Sequence, residues 1–166
     1  TCAPYQQGLV PAFGEQIAWG ESNAVAFVNS VIGARTERYA DLVDVCAAIA
    51  GRVPELGLHL DENRKAEILV SVRDIPAHAF KDPRIYALLG FVFGEMVGDR
   101  VGALDGLPRQ VPRDSLKSFS AAAASSGAVG LFHIIGVTPE APDVTTCFDG
   151  QTPPLTAMIT PEMIES

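Results

Sequence analysis

The sequence predicts an α/β fold, in which strands alternate with helices around one packed core. Apolar residues recur at helical spacing in several stretches, and short apolar runs of strand length lie between them. Hydrophobic residues make up 48% of the 166 residues, which is enough for a sizeable core and excludes a disordered chain.

The first expected helix follows a loop that proline and glycine interrupt over residues 1–16. It should begin at Ser22 and end at Gly33, since glycine commonly follows the last turn of a helix. Its apolar face consists of Val25, Val28 and Ile32. Asn29 falls on the same face, so its amide is expected to act either as a structural clamp or as a ligand contact.

A second helix is expected over residues 41–50, ending at Gly51. Its apolar residues recur at helical spacing and should face the core: Leu42, Val45, Cys46 and Ile49. Cys46 is therefore expected to be a small buried hydrophobe rather than a metal ligand.

Strands are expected where apolar residues alternate with other residues. Leu58 and Leu60 alternate before a polar turn, and a strand should follow over residues 68–72. Residues 128–137 should form a second, buried strand.

Three further helices are expected. The first two cover residues 83–97 and 114–126, and the run of alanines in the latter implies close packing against another element. The third should begin at Pro161, with Thr160 as its N-cap. Because that helix has barely begun at residue 166, the chain is expected to be a segment of a longer protein, truncated at both ends.

The charge and cysteine content narrow the possible partners. A net charge of −8 argues against nucleic acid, which proteins bind mainly through lysine and arginine. No apolar run reaches the roughly 18 residues of a membrane span. The 3 widely spaced cysteines do not suggest a disulfide framework, so a cytoplasmic location is expected.

Arg35 and Arg38 are the strongest binding candidates. They flank Thr36 and Glu37 just after the glycine that ends the first helix. Arginine forks bind carboxylates in a fixed orientation, so the pair could clamp a small anion. The alternative is a surface salt-bridge cluster without function.

Other polar residues are weaker candidates. The turn "HLDENR" contains His59 and Glu62, which could supply a general acid or base or could belong to a hairpin tip. Glu21 and Ser22 fit the start of a helix, where N-cap chemistry and anion binding are both possible. Cys2 alone indicates nothing.

Four stretches together resemble the aconitase X family: "TCAPY", "SNAVAFVNSVIGARTERY", "GLHLDENR" and "SFSAAAASSGAVGLFHIIGVTPEAP". The resemblance runs from Cys2 to about residue 141. It implies an aconitase-like three-layer α/β domain, of which residues 1–166 would be one segment.

The resemblance implies a lyase that dehydrates a small hydroxy acid with the help of iron. An iron–sulfur cluster or iron would polarise the leaving hydroxyl as a Lewis acid. Cys2 in "TCAPY" matches a cluster-ligating cysteine, and the remaining ligands would lie outside this chain, which alone should be inactive. The implied partners are the remainder of the catalytic domain and a small swivelling domain or subunit.

The same resemblance assigns candidate roles to the polar residues. The small anionic substrate would be bound by Arg35, Arg38 and Thr36, with Asn29, Ser22 and Glu21 lining the same site. His59 and Glu62 match a family block without an assignable step.

Three functions remain open. The segment "RYADLVDVCAAIAGRVPELGLHL" is closer to the family type that converts cis-3-hydroxy-L-proline to Δ1-pyrroline-2-carboxylate. The alternatives are the large subunit of a mevalonate 5-phosphate dehydratase and a non-catalytic module for anion binding or assembly.

Overall fold

A parallel β-sheet forms the centre of the structure, a computed structural model that describes residues 3–40 and 42–165. In this part of the chain the sheet has four strands in the order β3-β2-β1-β4. The strands are β1 (Ile68–Ser71), β2 (Gly102–Asp105), β3 (Phe132–Ile134) and β4 (Leu155–Met158). The α/β prediction is confirmed.

Two long helices make the crossovers that parallel strands require. Helix α3 (Arg84–Val97) joins β1 to β2, and helix α4 (Arg113–Ser126) joins β2 to β3. Both agree within two residues with the helices expected from the sequence. After β3 the chain crosses back, through a short helix α5 (Val144–Cys147), so that β4 pairs with β1.

The two faces of the sheet bury clusters of different size. Alternate residues of β1 point to opposite faces, as in any strand. Ile68 and Val70 belong to the large cluster beneath α3 and α4, whereas Leu69 packs on a small cluster around Phe148. The large cluster is centred on three aromatic rings that contact each other: Phe93, Phe119 and Phe132.

Helices α3 and α4 approach each other closely because α3 has glycines at the contact. A Cβ atom at Gly90 would lie 2.4 Å from the carbonyl oxygen of Phe119, and one at Gly94 would lie 2.6 Å from that of Ala123. The close packing expected from the alanine run is thus confirmed.

The described residues before β1 pack against this unit, mainly through contacts of their first α-helix with α4. Helix α1 (Ser22–Phe27) continues into a π-helical turn, Val28–Ile32, and ends at Gly33, whose φ of 79° suits glycine. A short helix α2 (Val43–Ala50) and single 3₁₀ turns complete this part: Pro4–Gln7, Gly57–His59 and Asp61–Arg64.

The expected burial of the second helix is wrong. Leu42, Val45 and Ile49 are exposed, and so is Cys46, which is therefore not a core residue. Periodicity shows that residues share a face, but it does not show that another element covers that face. Among the described residues of α2, Ala47 alone is buried.

Leu58 and Leu60 do not belong to a strand. The chain forms 3₁₀ turns there, stabilised by hydrogen bonds that sequence alternation does not reveal. The Arg64 side chain donates to the carbonyl of Leu58, and the Asn63 amide donates to that of Gly57. The short strands β2 and β4 and helix α5 were not expected, whereas helix α6 (Pro161–Glu165) begins at the expected residue.

Candidate functional site

The two candidate arginines have different surroundings. Arg35 is only 7% exposed, although it lies just beyond the end of a helix. Its guanidinium donates to Asp61 Oδ1 at 2.9 Å, to Glu140 Oε1 at 2.9 Å and to the carbonyl of Gly33 at 2.7 Å. Arg35 is therefore held by groups of this chain on both sides of its fork.

A second buried arginine, Arg64, shares the same carboxylate. It is 2% exposed, and its Nη2 lies 2.7 Å from Glu140 Oε1 while its Nε lies 2.9 Å from Oε2. It also donates to the carbonyls of Leu58 and Asn29. Burial lowers the pKa of Arg64, and the bond to Glu140 opposes that shift.

Asn29 and Thr36 complete this cluster. The Asn29 amide donates to the carbonyls of Thr36 and Gly130, both at 2.9 Å. Its oxygen accepts from the Thr36 amide at 3.0 Å and from Arg64 at 3.3 Å, so its polar atoms are all paired within the chain. The Thr36 hydroxyl accepts from the backbone of Trp19. We call this set the Glu140 network: Asn29, Arg35, Thr36, Asp61, Arg64 and Glu140.

Arg38 is exposed and lies outside the Glu140 network. Its aliphatic stem passes Gly130, where a Cβ atom would be 3.4 Å from Arg38 Cδ. Within the described part of the chain, no acceptor hydrogen-bonds its guanidinium. Glu37 does not pair with it, because that carboxylate accepts instead from the backbone amides of Arg38 and Leu58.

Beyond Arg38, Tyr39 begins a chain of hydrogen bonds. Its hydroxyl is bonded to His59 Nε2, and His59 Nδ1 lies 2.5 Å from Gln16 Oε1. The Gln16 amide nitrogen donates to the carbonyl of His59 at 3.1 Å, which fixes the orientation of the amide. His59 Nδ1 must therefore carry the proton, and Nε2 accepts from the phenol when the ring is neutral.

Burial shifts the pKa values of both His59 and Tyr39. His59 is 4% exposed, and its desolvation lowers the imidazole pKa, against an opposite effect of Glu37. Desolvation, together with Glu37, raises the pKa of the Tyr39 phenol. Both shifts favour the neutral forms, in which the phenol donates to the imidazole.

Tyr39 lines a cavity of about 540 Å³, which we call the Tyr39 cavity. Its charged lining residues are the carboxylates Glu21 and Asp44, and no lysine or arginine is among the described residues that line it. Pro4, two positions after Cys2 in the sequence, also lines it. The other lining residues are Ala18, Trp19, Gly20, Ala24, Ala40, Leu42 and Val45.

The remaining candidates lie at the surface or near it. Glu21 is the N-cap residue of α1 but makes no capping bond with its side chain, and Ser22, the expected cap, is the first helical residue. Glu62 is exposed in the turn before Arg64. Cys2 lies outside the described residues. The binding and catalytic roles of all these residues stay predictions.

A second cavity, of about 370 Å³, borders the Glu140 network. His133 in β3 lines it and is 2% exposed. Its Nε2 donates to the carbonyl of Arg64 at 2.7 Å, while Nδ1 has no partner among the described residues. Burial lowers the pKa of His133, so this ring is held neutral.

Several residues of the Glu140 network and of the hydrogen bonds around Tyr39 were not singled out from the sequence. Arg64 and Glu140 are far apart in the chain and belong to stretches that looked like ordinary turns. Tyr39 and Gln16 have no distinctive spacing. The one available signal was the polar density of "HLDENR", which ends at Arg64.

The described residues do not provide a set of ligands for iron. No three His, Cys, Asp or Glu side chains in this part of the chain converge on one point. Cys147 is buried, which raises its pKa to about 12 and keeps it a neutral thiol, and Cys46 is exposed on α2.

The structure is an α/β unit made of two contiguous parts of the chain, one before β1 and one from β1 onward. The Glu140 network joins them, because Arg35 and Arg64 of the first part bind Glu140 of the second. The family models agree with this division: "Aconitase X first domain" matches residues 1–62, and "Aconitase X second domain" matches residues 66–166. The chain belongs to the aconitase X family.

Curated relatives include enzymes of two named kinds. A cis-3-hydroxy-L-proline dehydratase of Pseudomonas aeruginosa is 49% identical over 92% of this chain and 26% of its own length. One from Hypocrea jecorina is 46% identical over 85% of this chain and 24% of its own. A phosphomevalonate dehydratase large subunit of Thermococcus kodakarensis is 42% identical over 84% and 35%.

A solved structure has the same fold. The holo-form of Thermococcus kodakaraensis aconitase X matches with a TM-score of 0.87 at 36% identity, over 99% of this chain and 40% of that one. The chain thus spans about a quarter to two fifths of the length of these proteins. Among the described residues, no helix is long and apolar enough to cross a membrane.

Proposed function

We propose that the chain is part of a hydro-lyase that dehydrates cis-3-hydroxy-L-proline to Δ1-pyrroline-2-carboxylate. The observation that carries this proposal is the 49% identity to a dehydratase of that name over 92% of the chain. A phosphomevalonate dehydratase is the second candidate, supported by identities of 42% and 44% to two such large subunits. A non-catalytic module is the third.

The proposed contact for the substrate carboxylate is Arg38 rather than Arg35. All three guanidinium nitrogens of Arg35 have partners in the Glu140 network, whereas the guanidinium of Arg38 is exposed without a described partner. Arg35, Thr36 and Asn29 would then support the segment that presents Arg38. This division replaces a clamp formed by both arginines.

Cys2 is the proposed ligand to an iron or iron–sulfur centre, with its other ligands supplied from outside this chain. The proposal rests on the match of "TCAPY" to the family pattern and on the burial of Cys147, which raises its pKa to about 12 and keeps it a neutral thiol. The proposed partners are the remaining parts of the catalytic domain and a small swivelling domain or subunit, as the names of the large-subunit relatives suggest.

The test is an assay of the full-length protein, purified without oxygen, on both candidate substrates. Consumption of cis-3-hydroxy-L-proline with formation of Δ1-pyrroline-2-carboxylate supports the proposal. Turnover of mevalonate 5-phosphate alone would establish the second candidate instead. Turnover of neither substrate by a protein that contains iron would exclude both activities.

Metal analysis tests the assignment of Cys2 independently of turnover. Cys2→Ser should lower the iron content, whereas Cys46→Ser, which changes an exposed thiol on α2, should leave it unchanged. A wild-type protein without iron, inactive on both substrates, would favour the non-catalytic module.

A further inference from the structure

The hydrogen bonds of Tyr39 leave its oxygen available as an acceptor. Its single proton is directed to His59 Nε2, because His59 Nδ1 is the donor to Gln16. No donor among the described residues reaches the phenol oxygen. Its lone pairs thus accept from no donor among the described residues, and Tyr39 is one of the residues that line the cavity.

The hydrogen bonds that connect Tyr39, His59 and Gln16 join three separate segments of the polypeptide and fix the geometry of the three side chains. Gln16 holds the His59 ring and also bonds to its backbone, and the ring holds the phenol. His59 is buried, which keeps the imidazole neutral and an acceptor at Nε2. A phenol held in this way has its rotation fixed before any ligand arrives, which reduces the entropic cost of binding.

A ligand for this cavity should donate hydrogen bonds and carry positive charge at the end that enters. The phenol oxygen offers acceptor capacity, and the charged lining residues are Glu21 and Asp44. A phosphate group has no proton donor at neutral pH apart from a residual hydroxyl, and it would face two carboxylates. The cationic ring nitrogen of a hydroxyproline meets both requirements.

We propose that Tyr39, positioned by His59 and Gln16, hydrogen-bonds the ammonium group of an amino-acid substrate in the Tyr39 cavity. This inference rests on the proposed function and narrows it to a substrate with a protonated amine. It makes Tyr39 a specificity-determining residue, and it makes His59 and Gln16 positioning residues.

The test compares two ligands that differ at the ring nitrogen, with binding to the full-length protein measured by calorimetry. L-Proline has the ring ammonium and the carboxylate but no 3-hydroxyl to lose, and cyclopentanecarboxylate has the carboxylate alone. The wild-type protein should bind L-proline at least about tenfold more tightly, a preference equivalent to about 1.4 kcal/mol. Equal affinities would overturn the inference.

Tyr39→Phe should reduce this preference about threefold, since the phenol oxygen is removed while the carboxylates of Glu21 and Asp44 remain. Tyr86→Phe is the matched control, because Tyr86 is a buried residue of α3 that does not line the cavity; it should keep the full preference. An unchanged preference in Tyr39→Phe would also overturn the inference, and the unfolding midpoint of each variant verifies that it is folded.

Gln16→Glu tests the positioning role with a readout that a purely structural role would not change. A carboxylate at this position should raise the pKa of His59 and protonate Nε2, which would then donate to the phenol oxygen and occupy it. Glu37 favours protonation of His59 as well, whereas Arg64 opposes it. The preference for L-proline should be lost at low pH and recover as pH rises through the new imidazole pKa. A preference independent of pH would contradict the role of His59.

These outcomes are separable from failure of the proposed function. A protein that dehydrates cis-3-hydroxy-L-proline but shows no change in Tyr39→Phe would keep its function and lose this inference. A protein that prefers L-proline through Tyr39 but dehydrates neither candidate substrate would keep the ammonium contact and lose the proposed reaction.

Discussion

The Glu140 network and the Tyr39 cavity begin on the same short segment, yet they differ in whether their polar groups are satisfied. Arg35 and Thr36 enter the network, where carboxylates, amides and carbonyls of this chain pair with them. Arg38 and Tyr39, two to four residues later, retain unpaired capacity. Saturated buried polar groups hold a structure together, whereas preorganised unsaturated groups beside a cavity can bind a ligand.

The largest effect is expected when Glu140 is changed to Gln. Two buried guanidiniums share this carboxylate, and its loss leaves both without their main counter-charge. Removing one partner of a buried ion pair typically costs about 3–5 kcal/mol. The free energy of unfolding should fall by about 3 kcal/mol in denaturant titrations of the full-length protein.

The matched control is Asp82→Asn, which breaks the exposed Asp82–Arg84 pair. Its unfolding should be indistinguishable from that of the wild type. Equal effects of the two substitutions would mean that the Glu140 network does not stabilise the fold.

Gly94→Ala should destabilise the contact between α3 and α4. The added methyl group would meet the carbonyl oxygen of Ala123 at 2.6 Å, so the helices would have to separate. Overpacking of this kind costs about 1–3 kcal/mol, more than the helix propensity gained from alanine. A thermal midpoint at or above that of the wild type would show that the helices separate without cost.

Arg35→Lys and Arg38→Lys should have opposite signatures. Arg35→Lys loses the paired geometry with Asp61 and Glu140, so the unfolding midpoint should drop. Arg38→Lys should leave the midpoint unchanged and raise the KM for the hydroxy-acid substrate about tenfold, since lysine cannot form the bidentate contact. Unchanged kinetics in Arg38→Lys would remove Arg38 from the site.

A smaller, pH-dependent effect is expected from His133. Burial lowers its pKa in the folded state, so below its ordinary value of about 6.5 the unfolded chain binds the proton more readily. Stability should therefore decline as pH falls below about 6.5 and should not depend on this group above it. His133→Gln should reduce that slope and leave the part due to His59, whose pKa burial also lowers, whereas His78→Gln, at an exposed position, should not change it.

The smallest effect concerns thiol reactivity. Cys46 is exposed, whereas burial raises the pKa of Cys147 to about 12. In the folded protein a thiol reagent should modify Cys46 and spare Cys147, as peptide mapping can verify. Modification of Cys147 at a similar rate would contradict its burial.

Much of the second part of the chain could be predicted from its sequence. Its two main helices have apolar residues at helical spacing, and the run of alanines in α4 indicates close packing. Helices α3 and α4 and strand β1 were expected nearly where they lie. β2 ("GALD") and β4 ("LTAM") were missed because neither has alternating β-branched residues like Ile68, Val70 and Val72, which mark the region of β1.

The candidate site was predicted less completely, for a physical reason. Arg35 and Arg38 were singled out from the sequence as a pair. Local spacing could not reveal the partner of Arg35, because that partner, Glu140, lies 105 residues further along the chain. The burial of Asn29 was visible in its helical stripe, whereas its pairing with Gly130 was not. The exposure of α2 was missed because periodicity cannot tell which face another element covers.

The most direct test of the central claim is a structure of the full-length protein with cis-3-hydroxy-L-proline bound. We expect the ring nitrogen in the Tyr39 cavity, within about 3 Å of the Tyr39 hydroxyl, and a Glu140 network with its internal pairs intact. A substrate bound instead by Arg35 and Arg64, with those pairs broken and the Tyr39 cavity empty, would contradict this expectation.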